Sequence, residues 1–383
     1  MKNLFMLDPD IIFLNHGSYG ATPVPVFEEY RDWQIKLERQ PVLFLGRELQ
    51  NYLKHARECL GKYLNADPDD LVYVPNATFG VNIVARSLNL TPDDEILMTN
   101  HEYGACENTW WFICEKTRSR LRRQQITLPV NDEQEIMEQL WQGVTDRTRL
   151  IFVSHVSSPT AITFPVERIC ARARQCGILT FVDGAHAPGQ INVDLQAIGA
   201  DFYVGNCHKW MLAPKGAGFI HVRRENQTLI EPIIVSWGWP AAAEHSTGSP
   251  FLDYLQNWGT RDHAASLSVP AAIHFLGDYK WEEIQRSCHA MLAGVIEAMG
   301  ELTGLEKVYS RSSFYQQMAA LTLPEQVDVV HMKEHLYNKN RIEIPCYRWE
   351  ERPIMRLSVQ GYNTQQELQY LLSAVEQYLK QAA

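Results

Sequence analysis

Two apolar runs in this chain end on groups that a buried strand has no structural need of. "ILTFV" runs into Asp183 of "VDGAHAPG", and "DFYV" runs through Gly205 and Asn206 into Cys207, His208, Lys209 and Trp210. Burial opposes ionisation of an aspartate, so a charged Asp183 there requires a cationic or protonated partner. It also opposes the charge on a lysine, which frees the Lys209 amine to act as nucleophile and base. A carboxylate for a pyridinium nitrogen and an amine for an aldehyde are the two polar fixtures that pyridoxal 5'-phosphate takes from a protein. Each residue also has an ordinary use, Asp183 as the cap of the next turn and Lys209 as a surface ion-pairing group.

That cofactor needs a phosphate cradle as well. "PNATFG" offers backbone N–H groups and the Thr78 hydroxyl at the start of a helical pattern, where orphan donors and the helix dipole favour an anion. A plain helix cap would look the same. His208 is placed to donate to the phosphate, and Tyr103 in "NHEYGA" has an aromatic face to stack on a pyridine ring.

The elements that must position these groups follow a recurring pattern of apolar run, polar tip and helix. "LVYVPNATFG", "EILMTNHEYGA", "RLIFVSHVSSPT", "ILTFVDGAHAPG", "DFYVGNCHKW" and "GAGFIHV" alternate with helical periodicity at 78–87, 133–140 and 166–176. Continuous apolar strands alternating with helices predict an α/β fold, a largely parallel sheet covered on both faces. Ligands in such sheets sit beyond the carboxyl ends of the strands, where Thr78, Tyr103, Asp183, His186, His208 and Lys209 all fall. From Arg261 the pattern changes to longer helices and then to short strands at "AALTLP", "RIEIPC" and "IMRLSV", closed by the amphipathic "TQQELQYLLSAVEQYLKQAA". The expected organisation is an N-terminal segment (1–20) near the site, a large α/β domain (21–260) and a smaller α+β domain (261–383).

Composition narrows the partners. The chain has 383 residues, 35 basic and 45 acidic, for a net charge of -10, which disfavours nucleic acid and anionic membranes and leaves a small molecule as the expected partner. The N-terminus shows no signal-type apolar region, and no stretch reaches about 18 uninterrupted apolar residues, so a cytoplasmic location is expected. Eight cysteines without a C-x-x-C pair argue against a zinc ribbon or dithiol site, and no metal is expected.

"VDGAHAPG" followed by "GNCHKW" resembles the class V aminotransferase family of fold-type I pyridoxal-phosphate enzymes, in particular its isopenicillin N epimerase-like branch. The resemblance runs from "FLNHGSYGATP" to "RLSVQGYNT". It implies a seven-stranded type of sheet between helices, with Lys209 as the Schiff-base lysine, Asp183 as the pyridinium partner and His186 near the phenolic oxygen. Ala77, Thr78 and His208 would hold the phosphate, and Tyr103 would take the stacking position. Arg356 would grip the substrate carboxylate, which suits a planar guanidinium. Asn15, His16 and the loop to Ser18 would close over the substrate. Family enzymes are homodimers with shared sites, and "NWGTRD" resembles the loop that sends Thr260 into the neighbour's phosphate site. Either Ser158 or Thr160 of "SSPTAITFP" would touch the cofactor.

The resemblance leaves the reaction open. Loss of a Cα proton from an amino-acid substrate leads to epimerisation, transamination or expulsion of a β-substituent. The expectation is an isopenicillin N epimerase-like enzyme, with a cysteine or cystine C–S lyase or a desulfurase as the alternative. A family member that only binds the cofactor or an amino acid is a further alternative. Epimerisation asks for a proton donor opposite Lys209, for which Tyr103, His101 or a partner tyrosine qualify. Desulfuration asks for a reactive thiol, and Cys346 lies in the corresponding region, although "RIEIPCYRW" alternates like a strand.

Overall fold

The protein is described here by a computed structural model covering residues 1–240 and 246–382. Seven strands form one sheet: Leu71–Val74 (β1), Glu95–Thr99 (β2), Arg120–Gln124 (β3), Thr148–Ser154 (β4), Leu179–Gly184 (β5), Phe202–Asn206 (β6) and Gly218–Val222 (β7). Their spatial order is β1-β7-β6-β5-β4-β2-β3. β6, β5, β4, β2 and β3 run parallel in sequence across the sheet. β7 runs antiparallel to both β1 and β6. The departure from the parallel pattern has a simple cause: residues 207–217 contain no helix that could carry the chain back for a parallel pairing.

The near-continuous apolar runs are explained by two-sided burial. Alternate residues enter two cores, with Leu97, Ile151, Val153, Val182 and Tyr203 on one face and Ile96, Met98, Phe152, Phe181 and Val204 on the other. Truncating a fully buried side chain such as Phe152 to alanine costs about 3–5 kcal/mol. β3 is the strand that its sequence does not announce. "RLRRQ" lacks an apolar run because, unlike the buried edge strand β1, this edge strand has no fully buried residue, and its arginines guard the open hydrogen-bonding side.

A second, antiparallel sheet of Met318–Thr322 (β8), Cys346–Trp349 (β9) and Arg352–Ser358 (β10) has the order β9-β10-β8. The helix Trp281–Thr303 packs on β8 and the helix Val329–Asn340 on β9 and β10, and both meet the terminal helix Gln365–Ala382. The helices Ala264–Leu267 and Val269–Asp278 pack instead on Val24–Arg39 and Leu49–Leu64. Among the described residues no helix is long and apolar enough to cross a membrane.

The N-terminal segment ties the two sheets together. Ile12–Phe13 pairs in parallel with Ile342–Glu343, and the Thr22 hydroxyl donates to the Ala213 carbonyl at 3.1 Å. Between them Gly20 adopts φ +70°, and a Cβ there would lie 2.0 Å from the His208 carbonyl oxygen. Only glycine lets the segment run this close to the backbone that presents Lys209.

Candidate active site

β5 and β6 are neighbours, and Asp183 stands opposite Val204 in their register. Lys209 follows three residues after β6. Both side chains line one cavity of about 640 Å3 beyond the strands' carboxyl ends. Asp183 is buried, its Oδ1 accepting the Ala185 N–H at 2.9 Å, while burial raises its pKa and the nearby Lys209 charge opposes that rise. Desolvation, reinforced by the Arg356 charge, pushes the Lys209 amine down to about 8. An amine with that pKa is neutral in part near pH 7 and is therefore a usable nucleophile and base.

The His186 ring fixes the hydrogen bonding of that amine. The Trp210 indole N–H, which can only donate, lies 3.3 Å from His186 Nδ1, so Nδ1 is the acceptor. Burial and the neighbouring Lys209 charge keep the ring neutral, which puts its proton on Nε2, 3.1 Å from Lys209 Nζ. His186 thus donates toward the amine nitrogen when Lys209 is in its neutral form. The same N–H would meet an electron-rich oxygen placed there.

At the other end of the cavity the helix Ala77–Ser87 presents its N-terminus. Asn76 caps it by accepting the Phe79 N–H at 2.9 Å, and the Ala77 N–H is taken by Asn206 Oδ1 at 2.8 Å. Among the described residues the Thr78 N–H has no acceptor, and Thr78 lines the cavity. A free N–H, a hydroxyl and a helix N-terminus at one spot suit a phosphate. His208 also lines the cavity but does not offer the N–H expected of it. Its Nδ1 faces the Ala217 carbonyl at 3.1 Å and must carry the proton, while desolvation pushes its pKa down to about 4. The neutral ring leaves Nε2 as an acceptor, so His208 donates to a phosphate oxygen only after taking up a second proton.

Arg356 on β10 closes the cavity from the small sheet. Nη1 donates to the Ser158 carbonyl at 2.7 Å and to its hydroxyl at 3.1 Å, and Nη2 donates to Ser18 Oγ at 3.0 Å. The guanidinium is buried, pairs with no carboxylate among the described residues, and leaves its Nε–H without an acceptor. A buried cation with an unanswered donor calls for an anion.

Three expected residues act at one remove. Asn15 Oδ1 accepts from the Ser18 hydroxyl at 2.6 Å, so Asn15 reaches the cavity only through the serine that touches Arg356. His16 is fully buried, with Nε2 on the Lys209 carbonyl at 3.1 Å and Nδ1 on the Tyr362 hydroxyl at 2.9 Å. It braces the Lys209 backbone, and Ser18 and Tyr19 line the cavity in place of Asn15 and His16. Thr160 is likewise fully buried, bonded to His101 Nδ1 at 2.6 Å and to Ser157 Oγ at 2.8 Å. Ser158 is therefore the one that faces the site. His101, whose Nε2 meets the Ile126 carbonyl at 2.9 Å, is also absent from the lining. Thr260 is exposed and outside this chain's own cavity.

Cys346 is buried in β9 with its thiol pushed up to about 12 by desolvation. Pro345 and Tyr347 line the cavity, and the strand's two-residue period turns Cys346 the other way. Sequence reasoning passed over Glu102, although it stands beside Tyr103 in "NHEYGA". Its carboxyl lines the cavity and accepts the hydroxyls of Thr99 and Ser154, both at 2.6 Å, and desolvation pushes its pKa up to about 8. Polarity alone gives no hint that this glutamate lies inside.

The fold and the lysine–aspartate pair beyond the strand ends define a fold-type I pyridoxal-phosphate enzyme, and the free Thr78 N–H, Asp183 and the Lys209 amine fit that cofactor's phosphate, ring nitrogen and aldehyde. The sequence pattern of the family described as Aminotransferase class-V matches residues 25–371, and the chain belongs to that family. It is 34% identical over 387 residues to an isopenicillin N epimerase of Amycolatopsis lactamdurans, covering 98% of this chain and 96% of that one. It is 28% identical to a probable chloroplastic L-cysteine desulfhydrase of Arabidopsis thaliana, covering 96% and 83%. A solved cysteine desulfurase from Thermococcus onnurineus has the same fold, with a TM-score of 0.85 at 19% identity over 99% of this chain and 97% of that one.

Proposed function

We propose that the protein epimerises an α-amino acid, with Lys209 and Tyr103 exchanging protons with Cα from opposite sides. The observation that carries the reading is the arrangement around one cavity of Lys209, Tyr103 and Arg356, which has no carboxylate partner among the described residues. Bound pyridoxal phosphate supplies the electron sink for charge released at Cα. Arg356 takes the substrate carboxylate and so sets the direction of the Cα–H bond. Lys209 Nζ receives the proton on its own side. The Tyr103 hydroxyl, its pKa raised chiefly by desolvation, holds a proton at neutral pH and returns it from the other side. Asp183 holds the ring nitrogen, Thr78 the phosphate, and Ser158 with Ser18 keeps Arg356 in place.

A C–S lyase acting on a cysteine derivative is the second reading. It uses the same Lys209 proton transfer and needs no protein thiol. Desulfuration does, and among the described lining residues there is no cysteine. The desulfhydrase relative supports the lyase, and the greater identity to an epimerase supports the first reading.

We also propose a homodimer in which Thr260 completes the partner's phosphate site. Supporting it, Tyr19 and Tyr103 are exposed at the mouth of the cavity.

The deciding experiment incubates the purified holoenzyme with single enantiomers of amino acids, including cysteine and cystine. Loss of optical rotation with no pyruvate or sulfide supports the epimerase, and release of pyruvate overturns it in favour of the lyase. Tyr103→Phe should lose epimerisation while still exchanging the Cα hydrogen with deuterium from solvent. Unchanged epimerisation in that variant overturns the role of Tyr103.

A further inference from the structure

Asp183 has a second contact that its expected role does not account for. Cys106, in the first turn of the helix Gly104–Thr117, places Sγ 3.5 Å from Asp183 Oδ2, and both side chains are buried. The Ala185 N–H occupies Oδ1, so the thiol addresses the other oxygen, the one left for a cofactor's ring nitrogen. Desolvation holds the thiol well above its ordinary pKa, which makes it the proton donor of the contact. The other groups facing Asp183 are the Lys209 amine, the neutral Glu102 carboxyl and the phenols of Tyr103 and Tyr203.

We propose that Cys106 is a positioning residue for the cofactor: its S–H holds Asp183 Oδ2 in the orientation that meets the ring nitrogen and favours the ionised carboxylate. The inference rests on Asp183 being the pyridinium partner. A thiol suits the task because it is a weak donor. It satisfies one lone pair of Oδ2 without competing with a charged N–H for the rest. A hydrogen bond to the ionised form of a buried acid stabilises that form, and losing it lets desolvation raise the acid's pKa further.

The test uses Cys106→Val, which keeps the bulk and removes the donor, Cys106→Ala as a smaller donor-free variant that serves if the valine variant does not fold, and Cys106→Ser, which keeps a donor. Two quantities are read: the dissociation constant of pyridoxal phosphate from the folded protein, and the pH midpoint of the bound cofactor's visible absorbance. The donor-free variants should hold the cofactor roughly five- to tenfold more weakly and shift the midpoint, with serine staying within about threefold of wild type. Donor-free variants that match wild type in both readings overturn the proposal, as does a serine variant that shifts with them, because the contact is then packing alone. Asp183→Asn is measured alongside. If it leaves cofactor binding and the midpoint unchanged, the role of Asp183 itself falls, an outcome distinct from failure of the Cys106 series alone.

Discussion

Of two large hollows among the described residues, the smaller is the candidate active site. The larger, about 980 Å3, is a crease between Tyr63, Gln190 and the start of the helix Trp281–Thr303. Its charged groups, Lys280, Glu282, Glu283 and Arg286, are all exposed and of mixed sign, so water solvates each of them. The cavity at the strand ends encloses Asp183, Glu102, His186 and Arg356 away from water, and Asp183, Glu102 and His186 depart from their ordinary pKa values in the direction that desolvation dictates. Volume does not mark the reactive site in this protein. What marks it is ionisable groups held where ionisation is expensive.

The comparison breaks most severely at Lys209. Lys209→Ala should reduce turnover by about three orders of magnitude and abolish the cofactor's covalent attachment, seen as loss of its protein-bound visible absorbance. A variant that kept both would dissociate the desolvated cavity from catalysis. Arg356→Gln comes next, with kcat/KM falling roughly 100-fold, chiefly through KM, while cofactor absorbance stays. An unchanged KM would remove the carboxylate from this wall.

Two pH experiments sharpen the contrast. The neutral amine is the form that attacks an aldehyde, and the Lys209 amine sits at about 8. Cofactor uptake by the cofactor-free protein should therefore rise about tenfold per pH unit below 8 and flatten above it, measured by stopped-flow absorbance. Glu102 supplies the second case. Its pKa is raised to about 8 from an ordinary value of 4.5, so between those limits the native state keeps a proton that the unfolded chain has lost. Stability from this group is present below about pH 4.5 and drains as pH rises toward 8. Melting curves of Glu102→Gln should lack that decline, and parallel curves for variant and wild type would contradict it.

The smallest effect belongs to the crease. Lys280→Ala or Arg286→Ala should leave kcat/KM within about twofold and stability within about 0.5 kcal/mol, since each side chain is exposed. A large loss of activity would give the crease a role its electrostatics do not suggest.

Much of the large sheet was legible because two-sided burial writes itself as unbroken apolar runs, and six of the seven strands carry one. β3 escaped because none of its residues is fully buried, unlike those of the other edge strand, β1. β7 was legible as a strand but not in direction, since direction depends on how the preceding eleven-residue connection, 207–217, folds. The candidate site was legible where a polar group ends a buried run, as at Asp183 and Lys209, which line one cavity. It was not legible where contact depends on which way a side chain turns. Ser158 and Thr160 are two positions apart in one loop, and one meets Arg356 while the other meets His101.

By itself the sequence determined the covered sheet, the placing of a carboxylate and an amine beyond adjacent strands, and the absence of an apolar run long enough for a membrane span, because all of these follow from local pattern and residue type. Tertiary structure alone decided that Glu102 is buried and neutral, that Cys106 bonds Asp183, that His208 spends its Nδ1 proton on Ala217, and that Arg356 lacks an acidic partner among the described residues. Each of these depends on distance through space between residues far apart in the chain, and on the water that packing removes from between them.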